Sequence, residues 1–140
     1  MSGRPAASRR TVLRGAALVP VAGLGAAACS PGGTAAPAVP DKPVDLGAEQ
    51  EVPQGGAKLY RDRNTVVSRD GKGALKAFST ICTHARCPIN KLQGTTLICP
   101  CHGSEFDATT GAVVRDPANQ PLQELAVRVR GGRIVAGPEA

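Results

Sequence analysis

Two short segments hold four of the five cysteines and both histidines of this 140-residue chain. The first reads CTHARC from residue 82, and the second reads CPCHGS from residue 99. Cysteine thiolates and histidine imidazoles are the side chains with which proteins commonly bind zinc and iron. Their concentration in two segments predicts that the fold brings both segments together at one metal site.

The ligand types leave two kinds of metal site open. Two thiolates and two imidazoles suit a zinc ion, or an iron–sulfur centre with mixed ligands. Structural zinc sites usually take their ligands from C-x-x-C and H-x₃₋₅-H pairs, whereas these segments offer C-x-H and C-x-x-H. That spacing would let each segment give one ligand to each of two neighbouring metal atoms. A site made of four cysteines is also conceivable, although it would leave both histidines unused.

The two segments resemble the motifs C-T-H-x-x-C and C-P-C-H-G-S of the Rieske family in its disulfide-bearing form. The match is strict over about 12 residues and looser over residues 55–137, including a proline-containing segment at 116–122. The resemblance implies one [2Fe-2S] cluster per chain, used for one-electron transfer. It implies that Cys82 and Cys99 hold one iron, that His84 and His102 hold the outer iron, and that Cys87 and Cys101 form a disulfide.

Residues beside these ligands predict how readily the cluster would accept an electron. Neutral imidazoles in place of two thiolates raise the reduction potential of such clusters to about −150 to +300 mV. We expect the Ser104 hydroxyl to donate a hydrogen bond to a bridging sulfide, and Gly103 to let the backbone approach the cluster. Phe106 stands where quinol-oxidising members of the family usually have tyrosine, which predicts a potential below theirs.

The chain from residue 48 onward predicts a small, all-β, antiparallel fold with two long cluster-binding loops. Apolar and polar residues alternate with period two, turns are frequent, and no segment of ten or more residues shows a helical stripe. The pair Gly131-Gly132 suits a tight hairpin between the last two strands. Strands are predicted at 65–68, 75–81, 91–92, 96–98, 105–107, 111–114, 125–130 and 133–135.

The first 28 residues predict an export signal. Basic residues precede a short apolar stretch rich in Gly and Ala, and Arg9-Arg10 lie in a sequence that resembles a twin-arginine motif. Cys29 follows three alanines, as in a lipoprotein processing site, and is therefore a candidate for lipidation. Cleavage by an ordinary signal peptidase is the alternative. Residues 29–47, rich in Pro, Gly and Ala, predict a flexible tether, which places the folded domain at 48–140.

The basic net charge belongs largely to this leader. The whole chain carries +6, but 13 basic and 11 acidic residues follow from Cys29 onward, a net of +2. Aromatic residues make up 2% of the chain, too few for a platform on which single-stranded nucleic acid could stack. The composition therefore predicts no nucleic-acid partner.

These features together predict an exported Rieske-type electron carrier, lipid-anchored at the outer face of the cytoplasmic membrane and without catalysis of its own. It could stand alone or serve as a subunit of a membrane-associated oxidoreductase, with redox proteins as partners and quinol as a candidate donor. Ala85 and Arg86 replace the Leu-Gly common in quinol-oxidising members, which argues against docking of their kind.

Two other functions stay open from the sequence. A Rieske ferredoxin that serves an oxygenase is the first, although such ferredoxins usually lack the extra cysteine pair and an export signal. A non-redox module with a structural zinc ion is the second. Visible colour and an EPR signal on reduction separate the iron–sulfur functions from the zinc module.

Overall fold

Ten antiparallel strands organise residues 38–140, the part of the chain that the computed structural model describes. The all-β class predicted from the sequence is confirmed. The predicted signal and residues 29–37 of the predicted tether lie outside the described residues. Within residues 38–140, no helix is both long enough and apolar enough to cross a membrane. The strands are β1 (Val44–Ala48), β2 (Gly56–Tyr60), β3 (Thr65–Arg69), β4 (Leu75–Ser79), β5 (Lys91–Gln93), β6 (Thr96–Ile98), β7 (Glu105–Asp107), β8 (Val113–Arg115), β9 (Glu124–Arg130) and β10 (Arg133–Gly137).

The strands form two sheets in which neighbouring strands are antiparallel. The larger has the order β1-β10-β9-β4-β3-β2, and the smaller has the order β5-β6-β7-β8. The first Cys/His segment, loop A (residues 82–87), leads from β4 into β5, and the second, loop B (residues 99–104), joins β6 to β7. Because Lys91 at the start of β5 pairs with Ile98 at the end of β6, both loops lie at the same end of the smaller sheet.

Two groups of buried side chains stabilise the sheets. One group, which includes Val67 and Ile134, belongs to the larger sheet. The other includes Phe106 of the smaller sheet together with Cys82 and Cys99, the first residues of loops A and B. The loops are therefore attached to the hydrophobic core through their cysteines, in surroundings that exclude water.

The domain begins earlier than the composition predicts. β1 starts at Val44, inside the segment assigned to the tether, and it pairs with β10. Leu46 of this strand is buried, and Asp45 accepts two hydrogen bonds from the Arg133 guanidinium at 2.7 and 2.8 Å. Val44, Leu46 and Ala48 form a short apolar alternation, but the high Pro and Gly content of the segment makes this alternation hard to recognise. Composition therefore places the start of the domain at residue 48 instead of 44.

A second strand without a sequence signal is β2, at the edge of the larger sheet. All five of its residues are half-buried, so they do not alternate between an apolar and a polar face. The alternation of apolar and polar residues that reveals β9 is therefore absent from β2.

Gly111 allows the turn between β7 and β8 to approach the larger sheet. Its backbone has a φ of +73°, and a Cβ atom at this position would lie 2.7 Å from the ring of Phe78. Its N–H donates to the Asp107 carbonyl, and its carbonyl accepts from the Leu122 N–H, both at 2.8 Å. Glycine alone combines this φ with so little space.

We expect Gly111→Ala to lower the free energy of unfolding by about 3 kcal/mol, because the methyl group overlaps the Phe78 ring and the residue must keep a positive φ. The matched control is Gly131→Ala, at a φ of +56° with open space around the new methyl group, for which a loss of about 1 kcal/mol is expected. Urea unfolding of both variants measures the difference. Equal losses would show that Phe78 does not crowd this position.

Candidate metal centre

Loop A is a tight turn that begins with a buried cysteine. The Cys82 N–H donates to the Cys87 carbonyl at 2.8 Å, and the Arg86 N–H donates to the Cys82 carbonyl at 2.9 Å. Arg86 closes the turn with a φ of +57°. Cys82 is 1% exposed, whereas residues 83–86 are exposed. The turn therefore keeps the Cys82 sulfur in the core and presents His84 at the surface.

Loop B repeats this turn with the same spacing. The Cys99 N–H donates to the Ser104 carbonyl at 2.9 Å, and the Gly103 N–H donates to the Cys99 carbonyl at 3.1 Å. Gly103 occupies the position that Arg86 has in loop A, with a φ of +76°. Cys99 is 2% exposed, and His102 is exposed. Each copy of the turn thus buries its first cysteine and exposes one histidine.

A disulfide joins the two turns, as the family resemblance implies. Cys87 and Cys101 are bonded, with their Cα atoms 6.5 Å apart. The Cys99 sulfur lies within 4.8 Å of both bonded sulfurs. Bonded sulfurs carry no thiolate charge, so Cys87 and Cys101 do not qualify as metal ligands despite this proximity. The free thiols among residues 38–140 are those of Cys82 and Cys99.

These two free thiols lie against each other in the core. Burial raises the pKa of the Cys99 thiol, and the neighbouring Cys82 thiol raises it further. Backbone N–H groups of Cys101 and His102 donate to the Cys99 sulfur and lower its pKa in opposition. A metal ion bound to both sulfurs would replace their protons, and the two N–H groups would stabilise the resulting negative charge.

The two histidines meet at the exposed side of the loops. The ring centres of His84 and His102 are 4.8 Å apart, and the ring planes are nearly perpendicular, at 89°. Two imidazoles that bind one tetrahedral metal ion through bonds of about 2.1 Å have ring centres about 5 Å apart. The donor atoms therefore divide into a buried sulfur pair and an exposed nitrogen pair. This division fits a [2Fe-2S] cluster that has one iron on each pair.

The structure brings together every residue that the sequence assigns to the metal site. The metal-binding roles of the four candidate ligands stay a prediction. The structure agrees with that prediction in that it pairs the two cysteines with each other and the two histidines with each other. Gly103 has a second reason to be glycine, because the turn requires its positive φ. The residues brought together are Cys82, His84, Cys99 and His102 as candidate ligands, Cys87 and Cys101 as the disulfide, and Gly103 and Ser104 beside them.

A third loop, residues 116–122, is hydrogen-bonded to both turns. The Ala118 N–H donates to the Ser104 hydroxyl oxygen at 3.0 Å, and the Thr83 hydroxyl donates to the Gln120 carbonyl at 2.7 Å. Ser104 is fully buried, and since its oxygen accepts from Ala118, its proton is free for another acceptor. This geometry fits the predicted donation to a bridging sulfide. Sequence reasoning misses both contacts because every residue carries the backbone groups of Ala118 and Gln120.

Phe106 lies in the part of the core that also contains the two candidate cysteine ligands. It is fully buried, lies opposite Leu97 in the β6–β7 pair, and belongs to the same buried cluster as Cys82 and Cys99. A tyrosine here would bring a hydroxyl into the surroundings of those two sulfurs.

Known proteins are similar to this chain over much of the part that the structure describes. A family model described as the Rieske [2Fe-2S] domain matches residues 42–126. The cytochrome b6-f complex iron-sulfur subunit of Chlorobaculum thiosulfatiphilum is 34% identical over 94 residues, which are 66% of this chain and 51% of that protein. The cytochrome bc1 complex Rieske iron-sulfur subunit of Corynebacterium diphtheriae is 38% identical over 86 residues, 54% of this chain and 21% of that protein.

Among solved structures, the ferredoxin of carbazole 1,9a-dioxygenase from Nocardioides aromaticivorans is similar with a TM-score of 0.50 and 27% identity. The similarity covers 71% of this chain and 100% of the ferredoxin. By contrast, the chain spans about half the length of the b6-f subunit that it matches. The part that the family model matches, residues 42–126, contains both loop A and loop B.

Loss of the disulfide and loss of a ligand should have different consequences. Cys87→Ser leaves all four candidate ligands in place but removes a link worth about 3 kcal/mol, so we expect cluster loss to accelerate about tenfold or more. His84→Ser removes a ligand, and the native visible spectrum should disappear. Absorbance decay in the presence of an iron chelator measures both effects. Normal spectra and lifetimes in both variants would contradict the assigned roles.

Two substitutions should move the midpoint potential in opposite directions. A hydrogen bond worth about 1 kcal/mol corresponds to about 40 mV in a one-electron couple. Phe106→Tyr adds a donor near the ligand sulfurs and should raise the midpoint by about that amount, whereas Ser104→Ala removes a donor and should lower it similarly. Redox titration of the three proteins gives these values. An unchanged or lower midpoint in Phe106→Tyr would contradict the role assigned to position 106.

Proposed function

The chain belongs to the Rieske [2Fe-2S] family, and we propose that it is an exported one-electron carrier at the outer face of the cytoplasmic membrane. Its cofactor is the [2Fe-2S] cluster, and its role is electron transfer. The observation that carries the proposal is the exposed pair of His84 and His102 on two disulfide-joined loops whose free thiols are buried.

The division of the donor atoms determines where electrons would enter and leave. When bound, the cluster would supply a one-electron couple, with the added electron on the iron that His84 and His102 would hold. His84 and His102 are exposed, so a partner can come into contact with them, whereas the core covers Cys82 and Cys99. Each imidazole keeps a second nitrogen that can hold or release a proton at the surface. Proton release there can accompany electron transfer, as the oxidation of a quinol requires.

We propose no catalytic residue for this chain. Its only two histidines lie in loops A and B, which leaves no histidine for a Ser-His-Asp arrangement. The protein would pass electrons between partners, either alone or as a small subunit of a membrane-associated oxidoreductase.

Two features support export. The disulfide between Cys87 and Cys101 is of the kind that persists in oxidising compartments. The sequence before the domain contains Arg9-Arg10 in a context that resembles a twin-arginine motif, followed by Cys29 as a candidate lipidation site. A twin-arginine route transports proteins that are already folded, which suits a domain that receives its cluster in the cytosol.

An oxygenase ferredoxin is the second candidate function. It is favoured by the similarity to the carbazole dioxygenase ferredoxin, which this chain covers over its full length. The disulfide-forming cysteine pair and the predicted signal argue for the exported carrier instead. The family match leaves the structural zinc module without support.

Export and anchoring can be tested in a bacterium that has a working twin-arginine pathway. We expect the full chain to reach the outer face of the membrane, and replacement of Arg9 and Arg10 by lysine to leave it in the cytosol. Cys29→Ser should release the exported protein from the membrane into the soluble exported fraction. Protease accessibility of intact spheroplasts and membrane fractionation measure both outcomes. Cytosolic wild-type protein would contradict the proposed location.

A further inference from the structure

We propose that Arg86 makes the exposed end of loops A and B a docking site for a redox partner protein that carries carboxylates around its electron-exchange site. The inference rests on the proposed function of the chain as an electron carrier. It adds the chemistry of the partner, which the metal site alone does not determine.

The backbone of Arg86 gives the first argument. Arg86 has a φ of +57°, and Gly103 holds the equivalent position of loop B with a φ of +76°. Glycine adopts this conformation without steric cost, whereas in an arginine the Cβ atom comes too close to the following carbonyl oxygen. The closing hydrogen bond of the turn comes from the Arg86 backbone N–H, so the turn itself does not need the side chain. An arginine at a position suited to glycine points to a role for its guanidinium group.

The charge of Arg86 gives the second argument. When both histidines are neutral, Arg86 is the one formally charged side chain in loops A and B. It is exposed, and it lies two residues after His84 in the sequence. Among residues 38–140, the ion pairs all involve other cations. Residues 1–37 contain no Asp or Glu that could neutralise it. Its positive charge is therefore available to a partner at the side of the histidines.

A depression beside Arg86 gives the third argument. It has a volume of about 280 Å³, and Arg86 lines it together with Thr83, Gln120 and Gln123. No acidic residue lines it, and the two glutamine amides offer hydrogen-bond donors near the guanidinium. Cys82 also lines the depression, so a group bound there would lie beside the metal site. A guanidinium group with neighbouring amide donors suits a carboxylate better than an uncharged quinol.

The test compares two one-electron oxidants of opposite charge, hexacyanoferrate(III) and tris(1,10-phenanthroline)cobalt(III). In each reaction the reduced full chain loses one electron and the oxidant gains one. A positive charge near the site of electron exit speeds the reaction with the anion and slows the reaction with the cation. A changed midpoint potential would shift both rates in the same direction. The ratio of the two rate constants therefore measures the local charge.

We expect Arg86→Gly to lower this ratio about tenfold at an ionic strength of about 10 mM, because one charge about 10 Å from a trivalent probe changes the two rates in opposite directions. Arg86→Lys keeps the charge and should stay within about twofold of the wild type. In about 0.15 M salt the effect of Arg86→Gly should shrink. Its urea midpoint should exceed that of the wild type, since glycine relieves the positive φ.

The matched control is Arg130→Gln, which removes an exposed charge from the end of β9 that lies away from the loops. Its rate ratio should equal that of the wild type. The same comparison with protein oxidants, an acidic blue-copper protein and a basic c-type cytochrome, extends the test to carboxylate-bearing surfaces, and Arg86→Gly should slow only the acidic one. An unchanged ratio in Arg86→Gly, or an equal fall in Arg130→Gln, would overturn the proposal. A wild-type chain that reduced neither inorganic oxidant would instead contradict the proposed function.

Discussion

The metal site depends on one backbone turn that the chain uses twice. In each copy, the first cysteine donates to and accepts from the last two residues of the turn, which holds its sulfur in the core. The histidines project from the middle of the turns, so they reach the surface as a pair. This arrangement separates the two buried sulfurs from the two exposed imidazoles. Under the proposed function, electrons would be exchanged at the nitrogen side, because residues 38–140 leave both histidines exposed and bury Cys82 and Cys99.

The surrounding structure holds the two turns in a fixed relation. The smaller sheet aligns their starting points, since β5 and β6 pair at the end where both loops emerge. The disulfide joins the turns near their exposed side, and Cys82 and Cys99 attach them to the core. The loop at residues 116–122 adds one hydrogen bond to each turn. Four independent constraints thus act on two short segments, which suits a cofactor whose ligands must not move when its charge changes.

The sequence predicts the metal site better than it predicts the edges of the fold. Cysteine and histidine are scarce in this chain, so their spacing in two segments indicates the site directly. β9 is predictable because apolar and polar residues alternate along it, whereas β1 contains a glycine bulge and β2 is half-buried throughout. The contacts of Ala118 and Gln120 have no signal, because backbone atoms make them. The positive φ of Arg86 does have a signal in the sequence, although the signal is easily missed. Aligning the two turns places Arg86 opposite Gly103.

The central claim is that His84 and His102 together hold the iron that accepts the electron. The most direct test of this account is pulsed EPR on the reduced full chain labelled with ¹⁵N-histidine. The account predicts that the unpaired electron couples to two histidine nitrogens, one from each turn. It also predicts that His102→Ser removes at least one of the two couplings. An iron–sulfur signal without coupling to histidine nitrogen would contradict the account, because the exposed pair would then have no part in holding the iron that accepts the electron.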